Sequence, residues 1–207
     1  GHTQLILMKD FLKYRILGET RDDAAGECFD KIARILGLGY PGGPAIATEA
    51  AKFSILNSKF SIKLPRPMLY QKNYDFSFSG LKTAVLYLAK RLTINNQQLT
   101  TQQKRGIAAE TQQAIIDVLI HKTLRAAKEF KVKSIILGGG VSANKELRKQ
   151  FQERIKKEIP NSKFYIPNSE FCTDNAAMIA LAAHFHARKS EFNSLPKLKA
   201  NGNLKLR

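Results

Sequence analysis

Tryptophan is absent from this chain, cysteine occurs only twice, and acidic residues number 17 against 34 lysines and arginines. Two cysteines, Cys28 and Cys172, make neither a disulfide framework nor a zinc motif, and read as reduced thiols of a cytoplasmic protein. No apolar run reaches the length of a membrane span, and no signal peptide stands at the start. No G-x-S-x-G nucleophile turn or His-Glu-x-x-His helix is present, which argues against hydrolysis by those routes. An initiator methionine is also missing. The chain opens Gly1-His2-Thr3-Gln4, which reads as a processed chain or a fragment.

The shortage of acid leaves a formal net charge of +17 and a pI near 10.0. Such a balance points to a polyanionic partner, most often nucleic acid. A lysine-rich proteome is the bland alternative. Otherwise the composition, 43% hydrophobic and 25% charged, is ordinary for a globular protein, and 207 residues suffice for one large domain or two small ones.

Periodicity predicts a hairpin of strands from Thr3 to Met8 and Lys13 to Glu19. Asp22 or Asp23 is placed to cap a helix reaching Leu36, with Ala25, Cys28, Phe29, Ile32, Ala33 and Leu36 on one face. Gly37 and Gly39 are its natural stop. Tyr40-Pro41-Gly42-Gly43-Pro44 predicts a turn, followed by a helix from Ala45 to Phe53 and an irregular stretch to Met68. Tyr74, Phe76 and Phe78 alternate as in a strand, and Ser79 stands where it would cap the next helix, which carries Leu81, Val85, Leu86 and Leu88. Gln102 to Phe130 is the longest helical pattern, with Ile107, Ala108, Ile115, Val118, Leu119 and Ala126 near helical spacing. Alternating strands and helices in the second half argue for an α/β architecture.

Three glycines, Gly138-Gly139-Gly140, separate the apolar run Ser134–Leu137 from a segment with Leu147, Phe151 and Ile155 at helical spacing. This is a strand, a tight turn and a helix, with Ser142 at the expected cap. Glycine permits positive φ and close approach to a ligand, and free amides at a helix start favour an anion such as phosphate. A plain turn in an α/β unit is the alternative. The spacing matches neither a Walker A loop nor the dinucleotide fingerprint. Phe164–Ile166 reads as a short strand, and Asp174 to His186 as a helix whose many alanines imply close packing against another element. His184 and His186 are two residues apart, so they do not share a helix face and do not form a metal site. The tail, 188–207, carries six Lys/Arg against one Glu and reads as mobile.

Seven motifs then occur in one order: Gly1-His2-Thr3-Gln4-Leu5, Asp22-Asp23-Ala24-Ala25-Gly26-Glu27, Phe29-Asp30-Lys31, Tyr40-Pro41-Gly42-Gly43-Pro44, Phe76-Ser77-Phe78-Ser79-Gly80-Leu81-Lys82-Thr83, Gly139-Gly140-Val141-Ser142-Ala143-Asn144 and Cys172-Thr173-Asp174-Asn175. From Gly1 to about Ala183 the chain resembles the bacterial tRNA N6-adenosine threonylcarbamoyltransferase family, formerly called O-sialoglycoprotein endopeptidases. The resemblance implies the α/β actin-like ATPase fold (the ribonuclease H-like, or ASKHA, class), mostly its second lobe. Residues 1–170 would be that lobe, 171–187 a returning C-terminal helix, and 188–207 the basic tail.

The implied activity is transfer of a threonylcarbamoyl group from its adenylate to N6 of the adenosine 3′ of the anticodon, in tRNAs reading codons that start with A. The implied metal, iron or zinc, is held by a His-x-x-x-His helix and one aspartate, which Asp174 matches. Asp174 also stands like a helix N-cap. Gly1, Asp30, Gly43 and Asn144 match substrate-binding positions, and Gly139 and Gly140 the loop near the phosphates of ATP or the threonylcarbamoyl-adenylate. The alternatives are a turn role for the glycines and solvated helix positions for Asp30 and Asn144. The implied partners are tRNA, a paralogous actin-like protein and a small ATPase, with no membrane. His2 reads as structural.

The histidine pair belongs upstream of Gly1 and is not in this chain. The expectation is therefore one metal ligand of three, and no activity from this chain alone. A non-catalytic tRNA- or partner-binding lobe, and another actin-like ATPase such as a sugar kinase, are the competing readings.

Overall fold

The alternating residues at the chain start form an antiparallel hairpin in the computed structural model, which describes residues 1–53, 60–93, 98–192, 194 and 199. Strand β1 (Gln4–Asp10) pairs with β2 (Lys13–Glu19), from Gln4 opposite Glu19 to Asp10 opposite Lys13. Among the described residues six helices follow: α1 (Ala25–Ile35), α2 (Gly42–Ala51), α3 (Ser79–Leu92), α4 (Thr101–Glu129), α5 (Lys145–Glu158) and α6 (Ala176–Arg188). A second, parallel pair joins β3 (Ser134–Ile136) to β4 (Lys163–Tyr165), in register from Ser134–Lys163 to Ile136–Tyr165. Among the described residues the architecture is α/β, with more helix than strand.

The apolar face expected of α1 is the one buried: Ala25, Cys28, Phe29, Ile32, Ala33 and Leu36 are each at most 2% exposed. With Ile46, Phe76, Phe78, Leu81 and Val85 they form the main core, closed by Ile107, Ala108, Ala114, Ile115 and Val118 of α4. A second core lies farther along α4, where Ile116, Ile120, Leu124 and Ala127 meet Ile135, Leu147, Phe151 and Ile155. Leu119 and Val141 touch both cores. Each buried Leu, Ile or Phe contributes about 1.5–3 kcal/mol by leaving water.

Several local expectations change. Neither Asp22 nor Asp23 caps α1; its first amide, Ala25 N–H, donates to Thr3 Oγ1 at 2.9 Å instead. Asp22 caps a helix distant in sequence. It accepts from the amides of Phe78 (2.8 Å) and Ser79 (3.2 Å) and from the hydroxyls of Ser77 and Ser79, both at 2.6 Å. Ser79 therefore begins α3 as a donor to Asp22 and is not its cap. Helix α2 starts at Gly42, three residues early, because Asp30 Oδ1 accepts from Gly42 N–H at 2.7 Å and Pro44 tolerates a first turn. The stretch around Tyr74–Phe78 is buried but pairs only once, Phe76 beside Thr20, so it is a bridge and not a strand. Asp75 explains the brevity: its carboxylate takes Glu19 N–H (3.1 Å) and Arg21 Nε (2.8 Å), drawing the segment into side-chain contacts.

Residues 60–66 carry neither helix nor strand, and Arg66 ties them to α4 through Glu110, through Asp117 (2.9 Å) and through the Leu64 carbonyl (2.7 Å). The rest of the expected irregular stretch, 54–59, lies outside the described residues, as does most of the tail after residue 192. No residue of α6 is buried, contrary to the packing its alanines suggested. Its observed contacts are with the hairpin tip, where Phe185 stacks on Phe11 at 4.0 Å and Lys189 Nζ donates to the Phe11 carbonyl at 3.3 Å.

Two predictions follow from buried charge and capping. Burial pushes the Asp22 pKa up, but the bonds from Ser77, Ser79 and Phe78 together outweigh it and hold it below the ordinary 3.8. Asp22→Ala should cost about 1 kcal/mol by urea denaturation at pH 7. The variants' difference should vanish as pH falls through the lowered folded pKa, because a depressed carboxylate stabilises only while ionised. Lys122 is fully buried, donates to the Asn73 carbonyl at 3.1 Å, and is pushed down to about 8 by burial and then by Arg125, against the pull of Asp75. Between that value and the ordinary 10.5 the unfolded chain binds the extra proton, so Lys122 makes stability rise with pH. Lys122→Met should flatten that rise in denaturation curves taken from pH 7 to pH 10.5.

Candidate functional site

Gly139 has φ +81°, a backbone that L side chains rarely adopt, so the turn after β3 requires glycine there. Gly140 then opens a short 3-10 turn running to Ala143. A β-carbon at Gly138, Gly139 or Gly140 would meet nothing within 4 Å, and no described group accepts from the Gly139 or Gly140 amides. These two exposed residues lie at the end of a strand and just before α5, with amides that have no acceptor among the described residues. That donor set suits an anion.

Asn144, not Ser142, caps α5. Its Oδ1 accepts from Leu147 N–H at 2.9 Å, and its Nδ2 donates to Gln112 Oε1 at 2.8 Å. Asn144 is thus a fixed residue joining α5 to α4, not a solvated one. One amide proton and one lone pair remain for a ligand. Ser142 fails as a cap because it is buried inside the turn, 3% exposed, with its hydroxyl on Cys172 Sγ at 3.2 Å. Val141, just before Ser142, packs on both cores and anchors the turn.

Asp30 is half-buried and holds the α1–α2 junction through Gly42. A β-carbon on Gly42 would lie 2.5 Å from Asp30 Cα, so glycine is what lets the two helices approach. Gly43 falls in the first turn of α2, not in a loop. Asp174 is exposed, and Asn175, not Asp174, caps α6 by accepting from Met178 N–H at 2.9 Å. Asp174 makes no hydrogen bond or ion pair among the described residues.

Gly1, Asp30, Gly43, Gly139, Gly140, Asn144 and Asp174 all line one open cleft of about 2480 Å³. Its walls also carry His2, Glu27, Glu110, Gln112 and Lys145. Glu27 pairs with Lys31 at 2.7 Å, and Lys31 with Asp23 at 2.6 Å; hydrogen bonds from Lys31 hold the Glu27 carboxyl below its usual range. Gln112, which orients Asn144, had no sequence signal, being one of several glutamines on a long helix. Cys28 and Cys172 are both free and buried, and burial, then Asp23 and Asp22, pushes the Cys28 thiol up to about 12. His186 Nδ1 pairs with Glu191 at 2.6 Å and His184 lies edge-on to Phe185, so neither faces the cleft.

No group of three or more His, Cys, Asp or Glu able to hold a metal occurs among the described residues. Asp174 alone does not constitute a metal site. No described helix is long and apolar enough to cross a membrane.

Fold and cleft define an α/β unit whose glycine turn and α5 start open onto one cleft. Residues 1–181 match the family described as tRNA N6-adenosine threonylcarbamoyltransferase, and the chain belongs to that family. The protein of that name from Thermosipho africanus is 48% identical over 206 residues, covering 100% of this chain and 59% of the relative. Those of Syntrophomonas wolfei and Ralstonia pickettii are 45% and 48% identical, covering 94% and 88% of this chain and 55% and 51% of their own lengths. The chain therefore spans between half and three-fifths of these relatives. Among solved structures, the crystal structure of T. kodakarensis HypF superposes with a TM-score of 0.53 at 16% identity, over 80% of this chain and 20% of that one. That likeness is one of fold.

Asn144→Ala removes the cap of α5 and should lower stability by about 1 kcal/mol, measured by urea denaturation. Asn144→Asp keeps the Oδ1 acceptor for Leu147 and should retain most of it.

Proposed function

We propose that this chain is the substrate-binding lobe of a threonylcarbamoyltransferase, the second lobe of an actin-like ATPase fold. In this reading residues 1–170 form the lobe, 171–187 the returning helix and 188–207 a basic tail. The observation that carries it is the meeting, in one cleft, of the glycine turn with five other motif residues: Gly1, Asp30, Gly43, Asn144 and Asp174. The Gly139 and Gly140 amides receive the phosphate of ATP or threonylcarbamoyl-adenylate. The free Oδ2 of Asp30 accepts from a ribose hydroxyl, since Oδ1 already serves Gly42. Asn144 offers its remaining donor and acceptor, held still by Leu147 and Gln112. Gly1 and Gly43 leave room for the nucleotide against α1 and α2.

The reaction is acyl transfer. N6 of the adenosine attacks the carbamoyl carbon, the bond from that carbon to the phosphate oxygen breaks, and the adenylate leaves with the electron pair while the amine loses a proton. Asp174 would offer one carboxylate to an iron or zinc ion, which would supply a Lewis acid for the carbamoyl oxygen. The net charge of +17 supports tRNA as the acceptor; in this reading the protein works in the cytoplasm, with a paralogous partner and a small ATPase assembling on the full-length protein.

The test uses the full-length protein with its partners. It should transfer threonylcarbamoyl to tRNA, and Asp174→Ala should abolish transfer. Affinity for tRNA should fall with salt at a log–log slope steeper than about −3, that is, three or more neutralised phosphates. Phosphorylation of a small sugar without tRNA would overturn the reading in favour of a kinase. Transfer unaffected by Asp174→Ala would reduce this lobe to a binding module.

A further inference from the structure

Arg148 has no carboxylate partner among the described residues, although it is half-buried on α5 one turn beyond Asn144. Its guanidinium is spent on neutral acceptors instead. Nε donates to the Ser142 carbonyl at 2.5 Å, and Nη2 donates to the Pro167 carbonyl at 3.0 Å and to Cys172 Sγ at 3.1 Å. Cys172 completes the knot: its sulfur also accepts from the Ser142 hydroxyl at 3.2 Å, while its own proton points to the Asn168 carbonyl at 3.5 Å. Ser142 and Cys172 are 3% and 2% exposed.

The knot joins two segments that β3 and β4 leave separate. Ser142 ends the glycine turn, and Cys172 lies two residues before Asp174. Among the described residues no backbone hydrogen bond ties 166–175 to the glycine turn; the short 3-10 turn at Ser169–Phe171 bonds only within the segment. Hydrogen bonds to a charged donor are worth more than neutral ones, and a planar guanidinium fixes several acceptors at once where an ammonium fixes fewer.

We propose that Arg148 is a positioning residue: through Ser142, Pro167 and Cys172 it locks the glycine turn and the Asp174 segment into one rigid unit, so that a nucleotide phosphate on the turn and the group at Asp174 keep a set separation. The proposal rests on the function proposed above for its catalytic consequence, but the knot itself is tested without it. Arg148 touches no reacting atom in this scheme.

The experiment uses the full-length protein with its partners, as wild type, Arg148→Met and Arg148→Lys. The first readout is the rate at which an aromatic disulfide reagent modifies Cys172, with the labelled peptide located by mass spectrometry, with and without ATP. Cys28, 0% exposed in the main core, is told apart from Cys172 by its peptide. Arg148→Met should label at least about tenfold faster than wild type, and ATP should protect Cys172 in the wild type but no longer in the variant. The second readout is steady-state transfer. Arg148→Met should lower kcat about tenfold with the KM for tRNA unchanged, and Arg148→Lys should recover part of it.

Equal labelling rates in wild type and both variants would overturn the knot. So would equal ATP protection in Arg148→Met, or an unchanged kcat per folded molecule. Should Arg148→Met fail to fold, Arg148→Lys decides by the same two readouts. A wild type that neither binds ATP nor transfers would sink the functional reading alone, since the ligand-free labelling rates still judge the knot.

Discussion

Burial of α4 on both of its long sides is the constraint on which the other elements depend. A 29-residue helix is about 44 Å long, and this one has no broad solvent face along most of its length. Ile107, Ile115 and Val118 are fully buried in the first core, and Ile116, Ile120 and Leu124 almost fully in the second. Helices α1, α2 and α3 close the first core; α5 and β3 close the second. The glycine turn sits between them because Val141 packs on both. Thr100 and Gln103 begin α4 with a reciprocal capping box, which fixes where the helix enters the structure.

Short polar side chains work at the joints of this arrangement, mostly across long stretches of chain. Asp22 caps α3, Asp30 starts α2, and Arg66 fastens an irregular segment to α4. Many of the few acidic residues are consumed this way: Asp23, Glu27, Glu49, Asp75, Glu110, Asp117 and Glu158 each bind a lysine or arginine of the same chain. Few carboxylates are therefore left to screen the remaining cations, and the surface carries the positive surplus that a polyanion would meet.

The polar joints also explain the form of the cleft. Asp30 and Asn144 each divide their hydrogen-bonding capacity between holding a helix start and facing the open space. A residue that caps a helix is preorganised at no extra entropic cost when a ligand arrives. Helix α6 differs: it meets the hairpin tip through Phe185 and Lys189 and buries no residue, so Asp174 stands at the exposed end of the cleft wall.

Element type and inward face were legible in the sequence wherever periodicity was strong. The buried faces of α1 and α5 and the core positions Ile107, Ile115 and Val118 of α4 follow from apolar spacing alone, because the 3.6-residue period is a local property. The ordered motifs were enough to name the family. Caps were not legible. Asp22, Ser142 and Asp174 stand where sequence places a cap, yet the caps are Asn144 and Asn175, one or two residues further on, and, for α1, Thr3, whose hydroxyl tertiary packing brings to a distant amide. The same reason hid Gln112 and Arg148, and it turned the alternating Tyr74–Phe78 stretch into a single bridge. Local pattern determined what each segment is; only the folded chain decided which distant polar groups meet, because partners such as Thr3 and Ala25, Asn144 and Gln112, or Asp22 and Phe78 lie 22, 32 and 56 residues apart in sequence, and closing such a loop has no local signature.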